Sequence, residues 1–415
     1  MEKIASSPIS NLPQEIYLKI FSWCCIRMVI LKPPWRNYLP TLVLGQVCKL
    51  WHAIIEQNPQ LWSTFCAETM GPETALAEVL RRSKHSPLDL TIWLQGSLLP
   101  SCLLTTAPRI QQLSLLAFEG ENFVSLFNQE FKFPALKSLN LRHGTVHEGP
   151  YPIIDPFSGA FDCSVLTSLL VSRLSFLPSH PLPSIRYIWI DHMRLDDACK
   201  LLTQCPNVED IHIGSIRLEH FPGNMVPEPS FDLPVALKSC VSLSLHTLTG
   251  GAIVDTSLQC FQLPNLTSLQ FKRSYCPTSN IDLLQHFQRL MSLNLHNIRL
   301  SKISLPQLLS NLANLRHLSY SEDDPWVENP TGVKLFRYLC LHQSAAYLPA
   351  LEHLMFSVEF RVMFHVLTFC ALHTHLDQVY LTLLKQENQP PRYEELFTAR
   401  CKKLARVRKY NIEKV

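Results

Sequence analysis

Apolar and polar positions along this chain fall into two regimes. Up to about residue 84 the apolar residues follow helical spacing, and beyond it they follow strand spacing. In the second regime one triplet recurs, apolar-x-x-apolar-x-apolar, often just after a proline. Its first anchors are Ile110, Leu136, Leu166, Ile185, Val208, Cys240, Leu266, Leu290, Leu315, Leu351 and Leu376. Within each triplet the last two anchors are separated by one residue, so they share one face of a strand while their neighbours share the other. Leu88, Leu90, Ile92 and Leu94 alternate in the same way just before the series. A strand of this kind cannot cover its own apolar face, so successive units are expected to stack on one another. Between strands, Asp196 to Leu202, Ile281 to Phe287 and Leu305 to Leu312 read as helical returns.

The helical regime opens at Leu12-Pro13. Proline suits the start of a helix because its missing N–H has no intrahelical partner there, and Glu15 in the first turn complements the helix dipole. Leu12, Ile16, Ile20 and Trp23 form one apolar row, with Tyr17, Phe21 and Cys24 beside it. An arc that wide predicts burial on two sides. A second helix is predicted from Leu42 to Ile55, with Leu44, Val47, Cys48, Trp51, Ile54 and Ile55 on one face. Asn58-Pro59 then supplies a cap and a first-turn proline before Leu61 and Trp62. Three short helices enclose only a small core, so part of this apolar surface should face a partner. The helix predicted from Pro72 to about Lys84 carries Leu76, Val79 and Leu80 on one face.

Composition narrows the picture. The chain has 415 residues, 47% apolar and 17% charged, which suits a folded chain of several domains or a solenoid. Only 12 Gly accompany 30 Pro, and GxxxxGK, GxSxG and HExxH are missing, so nucleotide-binding and hydrolase classes lose their usual signatures. The net charge of +3 gives no reason to expect nucleic acid. Fourteen Cys occur without a CxxC pair, which fits reduced thiols in the cytoplasm or nucleus. His365, Cys370, His373 and His375 lie close together, but packed or exposed histidines are the plainer reading, and no metal is expected. No cofactor is implied, and the lack of a long apolar run argues against a membrane span. The sequon at Asn265 is expected in a buried strand. The basic tail, Arg400 to Tyr410, is read as a terminal helix capping the last unit, with nucleic-acid contact or localisation as the alternative.

Leu12-Pro13, Glu15-Ile16, Ile20-Phe21, Val47-Cys48, Trp51, Pro59 and Leu61-Trp62 together resemble an F-box. This is the module that docks substrate receptors onto the Skp adaptor of SCF-type ubiquitin ligases. The long linker from Ile26 to Thr41 departs from the commonest pattern but is familiar in fungal-type F-box proteins. A three-helix cap closing the apolar end of the repeats is the alternative. The resemblance implies an adaptor-binding face of Leu12, Pro13, Ile16, Ile20, Phe21, Val47, Cys48 and Trp51. It also implies Ile16 and Phe21 exposed in the isolated chain, with Trp51 and Trp62 buried.

The triplets step from Ile110 to Leu376 with a mean of about 27 residues, inside the 20–29 range of leucine-rich repeats. They are degenerate, because the usual Asn or Cys closing each strand is mostly missing. Outward strand positions form two rows. Ser138, Ser168, Ser242, Ser268 and Ser292 share one slot with Tyr187, and Trp189 and His212 occupy the next. Tyr187 and Trp189 are candidate anchors, since aromatics concentrate interface energy. Tyr187, Trp189, His212, Ser242, Ser268 and Trp326, the last in the acidic return Ser321 to Gly332, are the candidate target-binding residues. For any single serine the plain reading is filler on a solvated strand.

The sequence thus predicts an α/β protein: a short all-α F-box module (8–66), a helical linker (67–86), a leucine-rich repeat horseshoe (87–396) and a basic cap (397–415). The expected role is non-catalytic. The chain would bind a Skp-type adaptor, through it a cullin, and through the repeats an unknown protein substrate. A scaffold that binds the adaptor without ligase activity is the alternative.

Overall fold

The computed structural model describes residues 12–31, 40–68, 73–94, 101–117, 132–144, 153–154, 164–217, 234–246, 258–273, 289–297, 312–321, 348–372, 376–385, 392–403 and 407–414. Trp326, His373, His375 and all of the acidic return after Ser321 lie outside them. The chain divides into two compact units, 1–185 and 186–415.

The first unit begins with α1 (Gln14–Leu31), α2 (Pro40–Gly45), α3 (Lys49–Gln57) and a 3-10 turn (Pro59–Trp62). Main-chain N–H groups of Ile16 and Tyr17 donate to the Pro13 carbonyl and start α1. The predicted second helix is in fact two. Gly45 ends α2, and Cys48 is extended, with φ −159° and ψ 167°, before α3 begins. Glycine weakens a helix interior, so the apolar pattern continued across a break that the backbone makes. Asn58 precedes the 3-10 turn, but its side chain does not cap it and donates to the Ile54 carbonyl at 2.5 Å. Trp62 is 2% exposed, and its indole N–H donates to the Ile55 carbonyl at 3.1 Å.

After β1 (Thr64–Glu68) comes α4 (Glu73–Arg82), the predicted linker helix, and later the short helix α5 (Ser101–Thr106). Arg82 lies over the Trp62 ring, 4.4 Å from its centroid, and pairs with Glu78 at 2.5 Å. Hydrogen bonds from Arg81 and Arg82 pull the Glu78 carboxyl down to about 2. Strands β2 (Leu88–Leu94), β3 (Ile110–Ala117), β4 (Ser138–His143) and β6 (Ser168–Ser172) then join β1 side by side, all parallel. Two short strands, β5 (Ile153–Ile154) and β7 (Ser175–Phe176), pair separately.

The second unit is built on a longer parallel series. It runs β8 (Tyr187–Asp191), β10 (Asp210–Ile213), β13 (Ser242–His246), β15 (Ser268–Lys272), β16 (Ser292–His296), β17 (His317–Ser321), β18 (His353–Glu359), β19 (Gln378–Lys385) and β20 (Val407–Lys414). Short returning strands pair beside it, β9 (Met193–Arg194) with β11 (Ile216–Arg217) and β12 (Val235–Ala236) with β14 (Phe261–Gln262). The return after β9 is α6 (Leu195–Thr203), the helix predicted there. The other two predicted helical returns lie largely outside the described residues. Near the end stand α7 (Phe360–Leu372) and α8 (Arg392–Lys403). Every triplet anchor from Ile110 to Leu381 is at most 5% exposed, while the residues between the last two anchors are mostly half-buried. The apolar spacing therefore marks the core in both units, and the stacked parallel strands are compatible with a solenoid-like repeat.

Two expectations are corrected. The basic tail is not one helix: α8 ends at Lys403, and Val407–Lys414 forms a strand parallel to β19. A strand whose N–H and C=O groups would otherwise lie open at a sheet edge favours pairing, and Tyr410 and Ile412 fall in register with Leu381 and Leu383. Asn265 is not buried in a strand. It is exposed in the turn before β15, where its side chain donates to the Lys238 carbonyl and accepts from Arg289, each at 2.8 Å.

The turns closing the strands carry an unforeseen signature. Arg173, His192, Arg273 and Asn297 have φ of 58°, 50°, 50° and 49°, and each directly follows a main strand. Gly144 and Gly214 take the matching place after β4 and β10. The N–H at this point bonds to the neighbouring strand: Arg273 to the His296 carbonyl at 2.7 Å, Asn297 to that of Ser321 at 2.8 Å, and Gly214 to that of Ile190 at 2.7 Å. Four of these strands thus end on a left-handed residue that is not glycine.

Candidate protein-interaction site

The wide apolar arc of α1 divides into two faces. Tyr17, Phe21 and Cys25, spaced by four, are 3%, 0% and 4% exposed. Phe21 packs on Trp51 at 4.9 Å and on Tyr17 at 5.8 Å between ring centroids, and Tyr17 meets the edge of Trp51. Burial, with Cys24 adjacent, pushes the Cys25 thiol up to about 11, so it stays protonated. Phe21 was expected to be exposed in the isolated chain. It is the centre of the module's core instead, because the i, i+4 row that includes Tyr17 and Cys25 turns toward α3. Trp51 is half-buried and supports that core.

The other face stays open. Leu12, Ile16, Ile20 and Trp23 are exposed on or just before α1, and Leu42, Val43, Val47 and Leu50 on or between α2 and α3. Pro13 and Cys48 are exposed beside them. Among the described residues fourteen large apolar side chains are exposed, and eight of them lie between positions 12 and 50. Scattered exposed apolar residues are ordinary, but such a concentration is characteristic of interaction surfaces.

In the second unit the outward strand residues come together as predicted by the alternation. Tyr187 lies opposite Asp210 and Trp189 opposite His212 on β8 and β10. The His212 ring stacks on Trp189 at 5.4 Å with 14° between planes and meets Tyr187 at 5.2 Å. His246 completes the group, edge-on to Trp189 at 5.8 Å and to His212 at 6.0 Å. Burial, with His212 and Lys272 nearby, lowers the His246 ring to about 4, so it is neutral near pH 7. Burial and the Asp210 charge raise the Tyr187 hydroxyl. Asp210 Oδ1 lies 3.5 Å from His212 Nε2 yet receives no hydrogen bond.

Ser242 and Ser268 sit half-buried in the row of Asp210, on the next two strands. His246 was missed because the triplet ends one residue before it; carrying the alternation one step further would have found it. Farther along the same face the His317 and His353 rings stack at 4.5 Å with 5° between planes. Met355 is 52% exposed, and Tyr380 lies opposite it. Of the cluster near the C-terminus, His365 is half-buried and Cys370 buried on α7. No helix among the described residues is long and apolar enough to cross a membrane.

One surface offers apolar side chains, and the other offers rings, amides, hydroxyls and the Asp210 carboxylate. The helices that carry the exposed apolar set are also the part of the chain that comparison with known proteins identifies. Residues 9–68 are F-box-like. The match covers α1, α2, α3, the 3-10 turn and β1, and so includes the buried Tyr17, Phe21 and Trp62 as well as the open face. F-box domains generally bind Skp-type adaptors. No curated protein matches the sequence. The crystal structure of a Bacteroides fragilis protein is similar at 11% identity, covering 82% of this chain and 80% of that one, with a TM-score of 0.32.

Proposed function

We propose that this protein is the substrate receptor of an SCF-type ubiquitin ligase. Its F-box-like module binds a Skp-type adaptor, the adaptor brings a cullin, and leucine-rich repeats bind a protein target. The observation that carries this reading is the crowd of exposed apolar side chains on α1 to α3, within the residues that match an F-box. Leu12, Pro13, Ile16, Ile20 and Val47 form the adaptor face, with Cys48 at its margin, while Phe21 and Trp51 hold the helices in place behind it. The protein does no bond chemistry itself. It raises the effective concentration of target lysines near the conjugating enzyme, in the cytoplasm or nucleus. The repeat reading is supported by the spacing of the anchors, about 27 residues, and by their burial on stacked parallel strands.

The test is co-purification of the full chain with a Skp-type adaptor and a cullin. Native chain retains both, and replacing Leu12 and Pro13 together with Ala abolishes adaptor retention. Undiminished retention by that variant would overturn the adaptor face. Adaptor bound without cullin would favour a scaffold outside the ligase.

A further inference from the structure

The second unit presents two outward rows that run from Tyr187 and Trp189 on β8 to Gln378 and Tyr380 on β19, strand by strand in register. They consist of serine, asparagine, glutamine, histidine, methionine and aromatic residues. Asp210 is the single Asp, Glu, Lys or Arg among them. Its carboxylate stands beside the Tyr187 ring and Ser242 in one row and against His212 in the next. One of its oxygens, Oδ1, is buried against His212 without a hydrogen bond, and the rest of the carboxylate is open, the side chain being 40% exposed. Arg186, just before Tyr187, is paired with Glu209 at 3.4 Å, and Lys272 lies one step farther up the strands, in a third row with His246 and His296.

We infer that this face binds a protein segment that is uncharged apart from one basic side chain, and that Asp210 takes that side chain. A guanidinium or ammonium meets the accessible part of the Asp210 carboxylate, whose side chain is 40% exposed, and sits beside the Tyr187 ring while doing so. The rest of the segment meets rings, hydroxyls and amides, which form contacts without opposing charge. A phosphorylated or acidic segment fits poorly, because these rows offer it no cation and place a carboxylate in its path. Nucleic acid fits poorly for the same reason. The inference rests on the reading that the second unit receives protein targets.

The experiment uses the full chain, immobilised with its Skp-type adaptor, and synthetic peptide pools of Ser, Ala, Leu and Tyr. Each pool carries one fixed Arg, Lys, Glu or phosphoserine, or no charge. The Arg and Lys pools are expected to be retained above the rest. Asp210→Asn should lower their retention by about tenfold or more, a charge-assisted hydrogen bond being lost. Asp210→Lys should turn the preference toward the Glu pool, which a merely misfolded variant would not do. Trp189→Ala should weaken all pools alike. Best retention of the Glu or phosphoserine pools by native chain overturns the inference, as does an Arg preference that survives Asp210→Asn, or no retention above blank. Adaptor retention is read in the same preparations. Its loss with Arg selection intact overturns the ligase-receptor reading alone, and its presence without Arg selection overturns this inference alone.

Discussion

Phe21→Ala separates the two faces of α1. Phe21 is fully buried between Tyr17 and Trp51, whereas Ile20, one position away, is 43% exposed. Truncating a buried Phe to Ala costs about 3–5 kcal/mol, from lost transfer energy and the cavity left behind. Native domains have only about 5–15 kcal/mol in total, and three short helices stand near the bottom of that range. The variant should therefore open α1 to α3 without unfolding the sheets. Hydrogen exchange read by mass spectrometry on the α1 backbone should rise by about 100-fold or more. Ile20→Ala should change it little: the position is open, and Ala favours helix slightly over Ile, so the balance is within about 0.5 kcal/mol. Equal protection in the two variants, or faster exchange in Ile20→Ala, would refute the division of faces.

The left-handed strand-closing residues give a second prediction. Arg273→Gly should raise the thermal midpoint of the second unit, because a side chain at φ 50° costs about 1 kcal/mol or more; Asn297→Gly should gain less, since Asn tolerates that region. Gly214→Ala should lower it, because an added Cβ would meet Asp191 Oδ1 at 2.2 Å; differential scanning calorimetry reads all three. The His246 ring falls from 6.5 unfolded to about 4 folded, so the unfolded state binds the proton first as pH drops. That part of the stability is whole above pH 6.5 and is lost between 6.5 and 4, and His246→Gln should flatten the denaturation midpoint across that window.

Much of the fold was legible because its core is written in one spacing. Leu269 and Phe271, or Leu293 and Leu295, have a single covered face to occupy, and alternation places them there without further information. The F-box-like helices were legible in kind but not in detail. Ile20 and Phe21 are both apolar in a wide arc, and only the packing of Tyr17, Phe21 and Trp51 decides which turns inward. The break at Gln46 to Cys48 was hidden because the apolar spacing carries on across it. The turns were illegible for another reason. Arg173, His192 and Arg273 hold a backbone conformation that sequence leads one to expect of glycine, and the hydrogen bond that holds Arg273 there reaches the His296 carbonyl on the neighbouring strand. Likewise, nothing local marks Val407–Lys414 as a strand; the open edge of β19 makes it one. At the candidate site the alternation found Tyr187, Trp189 and His212 and put Asp210 in their rows, whereas the stacking of His212 on Trp189 and the approach of Asp210 to His212 emerge only when the strands are laid in register.

In the proposed role, the open apolar face of α1 to α3 holds a Skp-type adaptor. The direct measurement is calorimetric titration of the adaptor into the full chain, native and with Ile16→Asp plus Ile20→Asp. Native chain should bind, and the double variant should bind at least about 100-fold more weakly, since two charges would enter an apolar interface. Its thermal unfolding should match that of the native chain, because both positions are already open to water. Equal affinity in the two proteins, or no binding by the native chain, would contradict the account.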